Sequence, residues 1–137
     1  MTETQEENLR MAYAIMFGFP AKKVRLSVWR TPGASDHALL NECGTAGCVA
    51  GILAAHPHFQ SYGLVYNASL GRLQYRGEWN LFAGAEELFG TDYVFDAGFS
   101  GVRGKRQALR RIRYALGDKI TPERGVELAR MEAGLTA

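Results

Sequence analysis

The chain has 137 residues, 47% of them hydrophobic and 22% charged, which is the length and balance of one globular domain over residues 1–137. An aromatic content of 11% argues against intrinsic disorder, and no apolar run approaches the roughly eighteen residues of a membrane helix. The acidic residues 1–7 lack the order of a signal peptide. We therefore expect a cytoplasmic protein, a monomer or small homo-oligomer, with no cofactor.

Charge is distributed unevenly along the chain. Residues 1–102 carry seven basic and ten acidic side chains, a net −3, whereas residues 103–137 carry nine basic and four acidic side chains, a net +5. The overall net charge is only +2. The excess of positive charge is therefore confined to the last quarter of the sequence.

The first third of the chain predicts one helix and one extended segment. Thr4 and Glu7 have the spacing of a capping box, so a helix should run over about 5–18. Its apolar stripe has helical spacing and consists of Leu9, Ala12, Tyr13 and Met16. Residues 24–30 alternate with a period of two, which predicts a short strand or extended arm with one inner face: Val24, Leu26 and Val28.

Residues 43–57 are the stretch around which the rest of the chain is organised. Thr45 is a good N-cap and Pro57 cannot continue a helix, so we predict a helix over about 46–56. The segment has no polar stripe, and its small residues allow close backbone approach: Gly47, Ala50, Gly51, Ala54 and Ala55. A helix that is apolar on every side belongs at the centre of the fold.

The remaining chain predicts a hairpin followed by helices. Strand-like runs at 62–66 and 70–76 flank a short polar connection, as in an antiparallel hairpin. Helices follow over 80–89 and 105–116, and Thr121 opens a last one. The apolar face of the helix over 80–89 comprises Leu81, Ala85, Leu88 and Phe89. The apolar face of the helix over 105–116 comprises Ala108, Leu109, Ile112, Ala115 and Leu116. We predict an α+β fold, a mostly helical single domain with a central buried helix and a small antiparallel sheet or hairpin.

Three short motifs mark the middle half of the chain. They are Val24-x-Leu26-x-x-Trp29, then Cys43-Gly44-Thr45-x-x-Cys48-Val49-Ala50-Gly51, then a helix ending Ala85-Glu86-Glu87-Leu88-Phe89-Gly90. In this order they resemble a group of small, mostly uncharacterised bacterial and bacteriophage proteins. The resemblance implies a phage or mobile-element setting and no established activity, so it assigns no catalytic residue.

Cys43 is the candidate nucleophile. It precedes the N-terminus of the predicted central helix, where the helix dipole stabilises a thiolate, and His37 could supply a base. The alternative, which we favour, is that cysteine here is a small residue that packs easily. Packing is favoured still more for Cys48, which lies inside the apolar segment.

A zinc site formed by Cys43, Cys48, His56 and His58 is the corresponding metal hypothesis. The spacing C-x4-C-x7-H-x-H does not match common structural zinc sites. Within a straight helix Cys48 and His56 would lie roughly 12 Å apart, at about 1.5 Å per residue, so one ion could not bridge them. We predict no metal site.

A basic stripe on the helix over 105–116 is the candidate binding surface. It comprises six cations within eleven residues and no intervening acid: Arg103, Lys105, Arg106, Arg110, Arg111 and Arg113. Guanidinium groups pair with phosphates or carboxylates, so nucleic acid or an acidic protein surface fits equally. A solvated helix face that binds nothing explains the same pattern. No short turn joins a preceding helix to this one, which argues against a helix-turn-helix reader of DNA.

These observations favour a protein that acts by binding. We expect a phage- or mobile-element-type accessory protein that engages a host protein or nucleoprotein through the basic stripe, for example as an inhibitor of a defence system such as CRISPR. Such an inhibitor would use either the basic stripe or exposed aromatic anchors, for which Tyr62, Tyr66 and Tyr75 are the candidates. The alternatives are a cysteine-dependent enzyme using Cys43 with a histidine, and a nucleic-acid-binding module.

Overall fold

The computed structural model describes residues 1–31, 34–41 and 46–117, and these contain six helices and one two-stranded sheet. The helices are α1 (Glu3–Gly18), α2 (Asp36–Asn41), α3 (Val49–Leu53), α4 (Pro57–Gln60), α5 (Leu81–Phe89) and α6 (Gly101–Ala115). The strands are β1 (Leu64–Asn67) and β2 (Arg72–Tyr75), and two 3₁₀ turns occupy Ala21–Lys23 and Tyr93–Phe95. The predicted α+β class is confirmed. The helix predicted from Thr121 lies outside the described residues.

Helix α1 begins two residues earlier than predicted. Thr2, not Thr4, is the N-cap: the backbone N–H of Gln5 donates to Thr2 Oγ1 over 3.1 Å, and the N–H of Thr2 donates to Gln5 Oε1 over 2.9 Å. Glutamine completes a capping box as well as glutamate does, so the sequence contains two overlapping capping boxes, Thr2 with Gln5 and Thr4 with Glu7. The first of them is used, and the helix is correspondingly longer. The predicted apolar stripe is buried, since Leu9, Ala12, Tyr13 and Met16 are at most 4% exposed.

The central segment is buried as predicted, but most of it is not helical. All residues from 46 to 56 are buried, yet α3 covers only Val49–Leu53. Its N-cap is Cys48, whose Sγ accepts the backbone N–H of Gly51 over 3.4 Å. Gly47 is extended instead, because its backbone bridges to Val24 and Arg30. Thr45, the predicted cap, lies outside the described residues.

Residues 24–30, which we call the arm, form a loop and not the predicted short strand or extended segment. Val24 and Arg30 both bridge to Gly47, and the chain between them turns at residues 26–27, where the N–H of Val28 donates to Arg25 O over 3.3 Å. On one side the backbone N–H of Arg25 donates to the carbonyl of Gly47 over 2.9 Å, and on the other the N–H of Leu26 donates to Phe99 O over 3.1 Å. Val24 and Leu26 are buried as predicted, while Val28 is only half-buried. The arm therefore runs between the α3 region and the segment that leads into α6.

Two contacts fix the arm against α3. A Cβ atom at Gly51 would lie 1.9 Å from the carbonyl oxygen of Trp29, so only glycine permits this approach. The next residue, Arg30, has a fully buried side chain whose Nε donates to Gly51 O over 2.9 Å. Its Nη1 pairs with Asp36 over 2.8 Å, and its guanidinium lies 4.4 Å from the ring centroid of Tyr66.

The hairpin and α5 follow their local sequence signals. Strands β1 and β2 pair antiparallel from Leu64 opposite Tyr75 to Asn67 opposite Arg72. Asn80 caps α5 by accepting the N–H of Ala83, and Gly90 ends it with φ +77°, a left-handed conformation that glycine adopts without strain. All four residues predicted for the apolar face are buried. None of the helices in the described ranges has the length and apolar character needed to cross a membrane.

We expect Gly51→Ala to lower the free energy of unfolding by about 1–3 kcal/mol, because the added methyl group must displace the Trp29 carbonyl. Urea denaturation followed by circular dichroism measures the change. Ala83→Ser, on the exposed side of α5, is the control and should shift stability by less than about 0.5 kcal/mol. An unchanged midpoint for Gly51→Ala would mean that the arm does not pack this closely on α3.

Candidate functional site

Helix α6 presents the candidate site on its outer side. Ala108, Ile112 and Leu116 are buried, and the helix packs mainly against α1. Between Gly101 and Ala115 it carries all six cations of the basic stripe and no acidic residue. The structure places these cations in three different environments.

Lys105 and Arg111 are held by backbone carbonyls. Lys105 Nζ donates to the carbonyls of Phe17 and Phe19 over 2.7 and 2.8 Å, at the C-terminal end of α1. Partial burial lowers the pKa of Lys105. Arg111 donates from Nη1 to Asp96 O over 2.7 Å and from Nη2 to Ala97 O over 2.8 Å. Both cations therefore have a structural role in positioning α6.

Arg103 stacks on a neighbouring ring. Its guanidinium carbon lies 4.1 Å from the ring centroid of Phe99, and both side chains are exposed. The pair lies at the N-terminal end of α6, where Phe99 is 51% exposed and Val102 is 56% exposed. Arg103 thus forms part of a mixed cationic and apolar corner of the molecule.

Arg106, Arg110 and Arg113 form one exposed row at helical spacing. With Tyr13 and Leu109 they line a groove of about 340 Å³. Neither Arg106 nor Arg110 has a hydrogen bond or ion pair with any of the residues that the structure describes. Within this outer row, Arg106 and Arg110 are the exposed cations whose guanidinium groups have no such contact in the described part of the chain.

A second cleft adjoins the outer row. It has a volume of about 260 Å³ and is lined by Tyr93, Arg110, Arg111 and Tyr114. The two tyrosine rings lie 6.0 Å apart between centroids at an interplanar angle of 60°, and Tyr114 is 76% exposed. Sequence analysis missed both tyrosines. Tyr114 was predictable as an exposed aromatic, because it falls on the polar side of the amphipathic pattern of α6. Tyr93 lies in a different element, so the sequence pattern of α6 does not reveal its contact with Tyr114.

Comparison with protein-family models, curated proteins and solved structures gives no match.

The tyrosines predicted as anchors occupy other roles. Tyr75 is 7% exposed and belongs to the core, so its prediction as an exposed anchor is wrong. Tyr66 covers the buried guanidinium of Arg30. Tyr62 is half-buried and lies 5.6 Å from the ring of His58. None of these three tyrosines is among the residues that line the two clefts beside α6.

Cys48 has the environment of a structural thiol. It is 4% exposed, and burial raises its pKa from 9.0 to about 11 despite the N–H donated by Gly51. It contributes to an apolar cleft of about 310 Å³ that is also lined by the exposed side chains of Trp29 and Phe82, and none of the three histidines lines that cleft. Cys43 lies outside the described residues, and His37 is exposed on α2.

The two histidines of the zinc hypothesis have protein neighbours. His58 Nε2 lies 2.8 Å from Asn8 Oδ1, and its ring packs edge-on against Phe59. His56 is buried at the N-terminal end of α4. Across residues 1–31, 34–41 and 46–117, no three His, Cys, Asp or Glu side chains are grouped closely enough to hold a metal ion.

We expect Cys48 in the native protein to react with iodoacetamide roughly 100-fold more slowly than in the unfolded chain near pH 8, because the raised pKa leaves little thiolate. Peptide mass spectrometry distinguishes Cys48 from Cys43. The folded state retains this proton more strongly than the unfolded state does. The resulting stabilisation is complete below about pH 9 and is lost as the pH rises through about 11. Equal labelling rates for Cys48 in the two states would contradict its burial.

We expect Lys105→Met to lower the free energy of unfolding by about 1–2 kcal/mol, since it removes a charged donor from two carbonyls at the end of α1. Thermal unfolding provides the measurement. Arg106→Met is the matched control, because Arg106 is the next residue in the chain and is exposed. It should change the free energy of unfolding by less than about 0.5 kcal/mol. If the two variants are equally stable, Lys105 does not anchor α6 to α1.

Proposed function

We propose that this is a non-catalytic binding protein that engages an anionic macromolecule through the outer row of α6. The observation that carries the proposal is the exposure of Arg106 and Arg110 on a helix without acidic residues, with no partner among the described residues. Guanidinium groups left in this state are available for bidentate pairing with phosphate or carboxylate groups. The groove beside them supplies a defined surface against which such a partner can lie.

The division of the basic stripe supports this proposal. If all six cations served only to keep the helix solvated, none of them would be expected to form defined hydrogen bonds with the rest of the protein. Instead, Lys105 and Arg111 hold α6 in place, and the remaining arginines lie on a helix whose position is fixed. The proposed binding atoms are the guanidinium groups of Arg106, Arg110 and Arg113, with Arg103 and Phe99 at one end.

The biological setting of the proposal comes from the motif resemblance. It suggests an accessory protein of a phage or mobile element whose partner is a protein or nucleoprotein of the bacterial host. Inhibition of a host defence system belongs to the same proposal. A cysteine-dependent enzyme receives no support from Cys48, whose thiol is buried and has a raised pKa.

The test is charge reversal on the outer row. We expect R106E/R110E to lose capture of partners from a bacterial lysate and to bind heparin about 10-fold or more weakly, because phosphate-like contacts depend on these cations. Heparin titrations at several salt concentrations should show a flatter salt dependence, by about one unit of slope for each lost contact. Circular dichroism verifies that the variant is folded.

The matched control is K22E/R25E. It changes the net charge by the same amount, at two exposed cations that line neither cleft beside α6. The control should retain capture, with a salt dependence close to that of the wild type. The proposal is refuted if R106E/R110E captures the same partners with unchanged salt dependence, since the row would then be only a solvated surface.

A further inference from the structure

We infer that the proposed partner is a nucleoprotein and that the outer row binds its single-stranded nucleic acid. The phosphates lie on Arg106, Arg110 and Arg113, and a base lies on the Tyr93–Tyr114 cleft. This inference rests on the proposed function and names the class of partner. Its basis is that the arginine groove and the tyrosine cleft share one side chain, Arg110. A ligand that occupies both must present negative charge beside a flat apolar group.

The tyrosine cleft is suited to a planar ring. Its exposed walls are ring and aliphatic carbon from Tyr93, Tyr114 and the stems of Arg110 and Arg111. Arg111 cannot move freely into the cleft, because the carbonyls of Asp96 and Ala97 hold its guanidinium. A volume of about 260 Å³ accommodates one nucleobase but not a folded segment. Exposed rings beside a cationic groove are the usual platform for unpaired bases.

The dimensions of the arginine row also favour a strand over a duplex. From Arg106 to Arg113 the helix rises by roughly 10 Å, at about 1.5 Å per residue, so the row contacts only a short length of backbone. In a duplex the bases are stacked inside and cannot reach Tyr114. An acidic peptide would neutralise the arginines but has no general reason to place a planar ring in the cleft. Single-stranded RNA or DNA satisfies both features at once.

The experiment measures fluorescence anisotropy of a labelled single-stranded oligonucleotide of about 12 nucleotides. We expect Tyr114→Ala to weaken its binding by roughly 10-fold, because one stacking platform is lost. Tyr114→Phe keeps the ring and should stay within about twofold of the wild type. Tyr114 is 76% exposed, so its truncation leaves the core intact. Trp79→Ala is the control for removing an exposed aromatic elsewhere, since Trp79 is 65% exposed beside Arg72.

Inorganic polyphosphate, which carries charge without bases, separates this inference from the proposed function. We expect polyphosphate binding to be lost in R106E/R110E and unaffected by Tyr114→Ala. If Tyr114→Ala leaves oligonucleotide affinity unchanged while R106E/R110E abolishes it, the base platform is refuted and the basic surface stands. Tighter binding of a duplex or of polyglutamate than of the single strand also overturns the inference. Failure of every polyanion to bind overturns both proposals.

Discussion

The close contact between the carbonyl of Trp29 and Gly51 is the constraint on which the arrangement of the chain depends. It allows the arm at residues 24–30 to lie directly on α3, so that Arg30 reaches the carbonyl of Gly51. A second glycine acts in the same way on the other side, because a Cβ at Gly104 would lie 2.3 Å from Phe99 O. The arm can therefore be enclosed by backbone on both sides, with α6 seated against it.

The ends of the helices are stabilised by side chains from other helices. Asn8 of α1 donates to the carbonyl of Leu88 over 3.0 Å, and Gln5 donates to the carbonyls of Glu86 and Glu87, so α1 satisfies the last turn of α5. Lys105 of α6 in turn satisfies the last carbonyls of α1. Unpaired carbonyls at a helix end are costly when buried, and these contacts both satisfy them and set how the three helices are oriented.

Features encoded by neighbouring residues were predictable from the sequence. The hairpin, the limits of α5 at Asn80 and Gly90 and the buried face of α1 all follow from local patterns. The helix over 46–56 was not, because an apolar run of small residues has the same pattern whether it is helical or extended. Its conformation at Gly47 is decided by a bridge to Val24, which is distant in the sequence.

The candidate site was predictable only in part, because some of its features are encoded locally and others depend on contacts between distant segments. Charge alone does not distinguish Lys105 and Arg111 from Arg106 and Arg110. Helical spacing does distinguish the two pairs. The buried positions of the helix are Gly104, Ala108 and Ile112. Lys105 and Arg111 lie beside these positions on the helix, whereas Arg106 and Arg110 lie on the opposite face. The pairing of Tyr93 with Tyr114 joins a 3₁₀ turn to the far end of α6, and no local pattern encodes it.

The anchoring of α6 at Lys105 and Arg111 lowers the conformational entropy that the protein would lose when a ligand binds to the outer side of the helix. The two residues are six positions apart and fix both the position of the helix along α1 and its rotation about its own axis. Association with this surface would then require ordering of side chains such as Arg106 and Arg110, at about 0.5–1.5 kcal/mol each, while the α6 backbone is already folded. Such a preorganised surface selects ligands whose shape already matches it.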